Sequence, residues 1–338
     1  MLIGSMSAAL VVVIIVVILA IVFDFLNGFH DAANVVATMI ASRSMTPEAA
    51  LFIAASCEFI GPFLFGTAVA KTMGKGIVDA SVITVWITFA ALSGAIAWNL
   101  ITWKWGLPSS SSHALVGGIV GAVWAGVGFD KLKLDGLIMI ITVLVTSPLI
   151  GLAIGYVCKK FIAFLCRGQG PRINVVFKRA QLVSAAGLAL SHGANDAQKS
   201  MGIITMVLVT YGYLAEFIVP YWVIFCCATA MGLGTAFGGW SIIKTVGSGI
   251  YRLRPIHAFS SQVTSATVIL GAALMGGPVS TTHVVSSSIM GVGAADRMKA
   301  VRWFKAIEIV TTWFVTIPAS AAVAAATYGA LHIARSFF

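Results

Sequence analysis

Pro255–Ala295 reads PIHAFSSQVTSATVILGAALMGGPVSTTHVVSSSIMGVGAA, 41 consecutive residues without one Asp, Glu, Lys or Arg. A helix needs roughly 20 apolar residues to cross the hydrocarbon layer of a bilayer, so this stretch is about twice the length of one crossing. The chain must therefore turn inside the membrane. The turn chemistry available in its middle is Met275-Gly276-Gly277-Pro278, followed by the hydroxyl run Ser280-Thr281-Thr282. The spacing predicts the tip of a re-entrant hairpin there. Irregular backbone at membrane depth is tolerated only where it is buried in protein or lines a wet cavity, so the tip should face a polar path.

The rest of the chain agrees with a membrane setting. Of 338 residues, 59% are apolar and 9% charged, with mean hydropathy +1.00, whereas a soluble domain carries about 25% charged residues. An all-α polytopic membrane protein is expected, forming one transport domain over residues 1–338. By length and hydropathy, further apolar stretches run over Ser7–Phe23, Leu51–Ala70, Ala80–Trp103, Trp105–Phe129, Gly136–Val157, Phe217–Ile243 and Ile309–Ile333. The first has no Lys or Arg ahead of it and no small-residue cleavage site, so it should stay in the mature protein. A net charge of +10 could suggest nucleic acid. The charges argue otherwise, because Lys159, Lys160, Arg167, Arg172, Lys178 and Arg179 crowd one connection, 158–179, which the positive-inside rule makes cytoplasmic. The five cysteines contain no Cys-x-x-Cys pair and read as packing residues.

Outward from the hairpin, the chain contains its own pattern twice. Gly277-Pro278-Val279-Ser280-Thr281-Thr282-His283 answers to Leu107-Pro108-Ser109-Ser110-Ser111-Ser112-His113, 170 residues earlier. Gly193-Ala194-Asn195-Asp196-Ala197-Gln198-Lys199 answers to Gly28-Phe29-His30-Asp31-Ala32-Ala33-Asn34 at an offset of 165. Lys244-Thr245-Val246-Gly247-Ser248-Gly249-Ile250 answers to Lys71-Thr72-Met73-Gly74-Lys75-Gly76-Ile77 at 173. Three matches in register define repeats over 7–130 and 180–297, with a second hairpin tip at Trp105-Gly106-Leu107-Pro108. Transporters built this way place substrate near the midplane, on helices interrupted there. The polar stretches Asp24–Asp31 and Ser191–Asp196, each between apolar runs, are expected to be such interruptions.

Acids inside a membrane are costly and default to function. Asp24, Asn27, Asp31 and Asn34 share one helical stripe, Asp196 recurs in the second half, and Glu58 lies deep in an apolar stretch. Capping of broken helix ends is the plain alternative for the aspartates. Asp79 and Asp130 are flanked by loop residues and should be solvated. The runs Ser110-Ser111-Ser112 and Ser280-Thr281-Thr282 precede helical segments, and helix N-termini with added hydroxyls bind oxyanions. Helix capping is again the alternative. Phosphate at neutral pH is partly protonated and can donate to an aspartate, while sulfate cannot, so Asp31 and Asp196 favour phosphate over sulfate. Lys199 is either an anion contact or the ion-pair partner of Asp196. His30, His113, His192 and His283 lack metal-ligand spacing and read as packing beside the tips, with a proton relay as the alternative. No Gly-x-Ser-x-Gly elbow or His-Glu-x-x-His helix occurs, which argues against an enzyme.

Asn27–Asn34, Ser191–Lys199 and Gly277–His283 resemble the signatures of the inorganic phosphate transporter family, in particular its bacterial low-affinity type. The resemblance implies two inverted repeats with broken helices and two re-entrant hairpins meeting at a central phosphate site. It further implies a homodimer in the plasma (inner) membrane, running on Na⁺ or H⁺, with no cofactor. Carried over to this chain, phosphate contacts fall on Ser110, Ser111, Ser280, Thr281 and Thr282, joined by Asp31, Asp196 and Lys199. Cation contacts fall on Asp31, Asn34, Glu58, Asn195 and Asp196, with Na⁺ possible at Asp31, Asn34, Glu58 and Asp196. Gly28-Phe29-His30-Asp31 resembles proton-coupled members, whereas Glu58 resembles an acid of sodium-coupled ones, and Gln262 stands where those often carry a second glutamate. A sulfate or other oxyanion permease of the same fold is the alternative.

Overall fold

The computed structural model describes residues 2–79 and 82–336. In chain order its helices are α1 (Leu2–Ala41), α2 (Pro47–Leu64), α3 (Ala68–Lys75), α4 (Val85–Trp105), α5 (Ser111–Val127) and α6 (Leu134–Leu165). They are followed by α7 (Ile173–Thr210), α8 (Tyr221–Phe237), α9 (Trp240–Gly249), α10 (Pro255–Leu274), α11 (Thr281–Arg297) and α12 (Trp303–Ser336). One series of lengths is read twice. It runs 40, 18, 8, 21, 17 and 32 residues, then 38, 17, 10, 20, 17 and 34. Six of these helices, α1, α2, α4, α6, α7 and α12, are long and apolar enough to cross a membrane.

The apolar cores show how the halves are related. One cluster takes Val13–Phe23 from α1 and Met201–Leu208 from α7, and the other takes Ala32–Met39 from α1 and Ala185–Ala189 from α7. The N-terminal part of one helix thus packs beside the C-terminal part of the other. The equivalent helices run antiparallel, and the repeats are inverted. They also clasp each other, because α5 packs on α12 and α11 on α6, while α1 packs on α8 and α2 on α7. A methyl group on Gly28 would overlap the Met231 carbonyl of α8, and one on Gly193 the Glu58 carbonyl of α2. The glycines that open the repeated motif are there for close helix crossing.

The expected interruptions at Asp24–Asp31 and Ser191–Asp196 do not occur, since α1 and α7 pass through them unbroken. Side chains from other helices meet Asp24, Asp31 and Asp196 there while the backbone stays helical. The breaks fall instead where glycine takes a left-handed turn, at Gly66 between α2 and α3 and at Gly238 between α8 and α9. The stretches Leu51–Ala70 and Phe217–Ile243 are therefore each two helices, and Trp105–Phe129 is a hairpin tip followed by the 17-residue α5. Ala80, the expected start of another span, lies outside the described residues. The basic stretch 158–179 is shorter as a loop than expected. Lys159 and Lys160 belong to α6 and Lys178 and Arg179 to α7, leaving 166–172 as the connection.

Candidate functional site

Both hairpin tips close by the same backbone chemistry. Gly106 and Gly276 follow α4 and α10 at φ +67° and +76°. The Gly106 N–H donates to Trp103 O at 3.0 Å and Leu107 N–H to Thr102 O at 2.9 Å; Gly276 N–H donates to Ala273 O at 3.1 Å and Gly277 N–H to Ala272 O at 2.8 Å. A left-handed residue satisfies the last carbonyls of the helix and releases the chain. The next helices start at Ser111 and Thr281, capped by Ser110 and Ser280, whose Oγ atoms accept from His113 N–H at 3.2 Å and His283 N–H at 3.3 Å. The tips touch, with Ser112 Oγ donating to Val279 O at 3.0 Å. Asn195 fixes the second tip by donating to Gly277 O at 3.1 Å.

Asp31 is where the two tips converge. Its Oδ2 accepts from Ser111 Oγ at 3.3 Å and Thr281 Oγ1 at 3.5 Å, and its Oδ1 accepts from Thr282 Oγ1 at 3.3 Å. His30 Nδ1 lies 2.7 Å from the same Oδ1. Asn34 holds Thr282 in place by donating to its Oγ1 at 2.9 Å. Asp196 faces Asp31 from α7. Its Oδ1 accepts from Lys199 Nζ at 2.7 Å and its Oδ2 from Thr281 Oγ1 at 3.2 Å. Lys199 also donates to Ser112 Oγ at 2.5 Å and Val279 O at 3.2 Å, so it is both an ion-pair partner and a contact to both tips. All of these side chains are buried. A buried carboxylate without donors or a cation would be strongly unfavourable, and here each has several.

Glu58 enters the site indirectly. It accepts from Thr235 and lies 3.0 Å from His192 Nδ1, while His192 Nε2 lies 3.7 Å from Asp196 Oδ2. Ligand atoms of Asp31, His192 and Asp196 lie within 4.8 Å of one another. This corrects the packing role read for His192 and for His30. The signal was present, because His192 and Asp196 are spaced i, i+4 on one helix face. The packing reading holds for the other two histidines. His113 and His283 stand 4.4 Å apart behind the tips, with Trp313 stacked on His283 at 3.8 Å. Gln262 lies outside the site, bound to Ser184 and Thr38. Asp130 is 70% exposed and ion-paired with Lys131, which holds its carboxyl below the usual carboxylate range.

The arrangement can wrap a tetrahedral anion in hydroxyl donors, two helix N-termini and one ammonium, with carboxylates beside it for a cation. This is the design of a multi-pass membrane transporter for an oxyanion. A family model described as the phosphate transporter family matches residues 27–324, and the chain belongs to that family. It is 46% identical over 318 residues to a probable low-affinity inorganic phosphate transporter of Bacillus subtilis (strain 168), spanning 93% of this chain and 95% of that protein. A protein of the same description from Rhizobium meliloti (strain 1021) is 46% identical over 316 residues, with 93% and 95% covered. Among solved structures, one titled the sodium-dependent phosphate transporter superposes with TM-score 0.87 at 27% identity, covering 96% of this chain and 99% of that one.

Proposed function

We propose that the chain imports inorganic phosphate across the plasma membrane by symport with Na⁺ or H⁺. The observation that carries this reading is the meeting of both hairpin tips on Asp31, with Asp196 and Lys199 alongside. Ser111, Thr281 and Thr282 offer neutral donors to the anion, and Lys199 offers a charged one. Ser110 and Ser280 line the same tips as helix caps. Asp31 and Asp196 accept from the protonated oxygens of phosphate, which sulfate lacks near neutral pH. The groups that can hold a cation beside the anion are Asp31, Asp196, Asn34, Asn195 and Glu58, with His192 between Glu58 and Asp196. When a cation binds there, it offsets the repulsion between the anion and the two carboxylates. The motif-bearing segments 7–130 and 180–297 act as the moving repeats, the basic stretch 158–179, with its connection 166–172, faces the cytoplasm, and the functional unit is a homodimer.

The test is uptake of labelled phosphate into proteoliposomes under imposed Na⁺ or H⁺ gradients. Uptake should respond to one of them, be blocked by excess arsenate, and be little affected by sulfate. Strong competition by sulfate would reassign the substrate.

A further inference from the structure

One buried acid is left unused by the site above. Asp24 sits near the middle of α1, almost two turns before Asp31, and is 0% exposed. Its Oδ1 accepts from Ser200 Oγ of α7 at 2.6 Å, and its Oδ2 has no N–H or O–H donor. Among the described residues no Lys, Arg or His lies within ion-pair distance of it. The titratable groups that face it are the Cys227 thiol of α8, which lies beside the carboxyl, and Asp196 and Lys199 of α7, which act at longer range. From α4 no acid or histidine is available, and its one charged residue is Lys104 in the last turn. On α1 itself Asn27, one turn on, is equally buried and both its side-chain polar atoms are unpaired.

The side chains in contact with the carboxyl, Ser200 and Cys227, supply donors, not ligands. A small metal cation prefers several oxygen atoms around it, whereas Ser200 turns its hydroxyl hydrogen toward the carboxyl and Cys227 presents sulfur. A proton needs only the free oxygen. Asp24 is also tied through Ser200 to the helix turn that carries Lys199 and Asp196, so its charge is sensed where the anion binds. We propose that Asp24 is the proton-coupling carboxyl of this transporter, loading a proton on one side of the membrane and releasing it on the other as the repeats move. This rests on the phosphate-symport reading and assigns its coupling ion as H⁺. The proton taken up by the free Oδ2 is the one released, so each cycle returns Asp24 unchanged.

The experiment compares two transport modes of the same reconstituted protein. In exchange, labelled phosphate outside swaps with unlabelled phosphate inside at equal pH, and the carrier need not release its proton. In net uptake, an inward proton gradient drives accumulation, and release is obligatory. Asp24→Asn should retain exchange at close to the wild-type rate while net uptake falls by about tenfold or more per unit of imposed pH gradient, the factor carried by one coupled proton. Asp24→Glu should restore net uptake. Equal loss of both modes in Asp24→Asn, with Asp24→Glu also inactive, would show a structural acid and overturn the proposal. Normal proton-driven uptake in Asp24→Asn, or loss of a Na⁺ response in its place, would overturn it too. Absence of phosphate exchange in the wild type would instead refute the substrate reading.

Discussion

The two halves share a backbone plan yet treat their buried acids differently. In the first half Asp31 meets a histidine, His30, and the hydroxyls of both tips. In the second half Asp196 meets the Lys199 amine, three residues along the same helix. Repetition thus preserved the geometry that positions a carboxylate where the hairpin tips meet, while the partner beside it diverged. One acid is held by groups that can adapt to a passing cation or anion, and the other is locked into an ion pair that also grips the tips.

The sharpest way to break this comparison is to remove each charge. Asp31→Asn and Asp196→Asn should both abolish gradient-driven phosphate uptake. They should differ in stability, because Asp196→Asn strands the Lys199 ammonium in the interior, at a cost of about 3–5 kcal/mol. Thermal unfolding in detergent should therefore fall much further for Asp196→Asn, and Asp196→Asn/Lys199→Met should recover most of the loss without recovering transport. Equal melting temperatures for the two single variants would mean that the halves are electrostatically alike.

Where the halves are geometrically alike, paired variants should behave alike. Gly28→Ala and Gly193→Ala each place a methyl group against a carbonyl of the opposite repeat, and overpacking of this kind costs typically 1–3 kcal/mol. Similar drops in melting temperature would support the clasp of α1 on α8 and α2 on α7. A drop in only one of them would show that the inverted symmetry fails at that crossing.

The tips give a finer contrast. Thr281 Oγ1 reaches both Asp31 and Asp196, whereas Ser111 reaches Asp31 alone. Both Thr281→Ala and Ser111→Ala should weaken phosphate binding by about 1–3 kcal/mol where a buried partner is left unsatisfied, read as a higher phosphate concentration for half-maximal uptake, and Thr281→Ala should raise it more. The reverse order would place the anion nearer the first tip.

Much of this was legible because membrane chemistry leaves few options. A 41-residue run without charge has to turn; the glycines at its centre located the turn at Gly276, and the matching motif in the first half located it at Gly106. The acids Asp31 and Asp196 stood out because hydrocarbon tolerates so few. What misled was the inference from a polar stretch to a broken helix. Whether Asp24–Asp31 interrupts α1 depends on partners supplied by distant helices, such as Ser200, Thr102 and Thr282, and no local pattern announces them. The roles of Ser112 and Thr235 were hidden for the same reason. Their partners, Lys199 and Glu58, lie 87 and 177 residues away in sequence.

The smallest effect separates the hydroxyls that cap from those that bind. Ser110 and Ser280 were both expected to touch the anion, and both accept the N–H three residues on at the start of their helices. They differ in one contact. Ser110 Oγ also lies 2.9 Å from His113 Nδ1, whereas among the described residues the Ser280 hydroxyl makes the cap bond with His283 alone. Losing a serine cap costs about 0.5–2 kcal/mol, so Ser110→Ala should sit at the upper end of that range and Ser280→Ala at the lower. Aspartate, an equally good cap, provides the decisive control. If capping is the whole role, Ser280→Asp should keep the melting temperature and leave phosphate uptake near wild type. If the hydroxyl touches the anion, the added negative charge should suppress uptake while stability is unchanged. Measuring melting temperature and half-saturation on Ser110→Ala, Ser280→Ala and Ser280→Asp together decides how many of the tip hydroxyls belong to the substrate and how many to the helix.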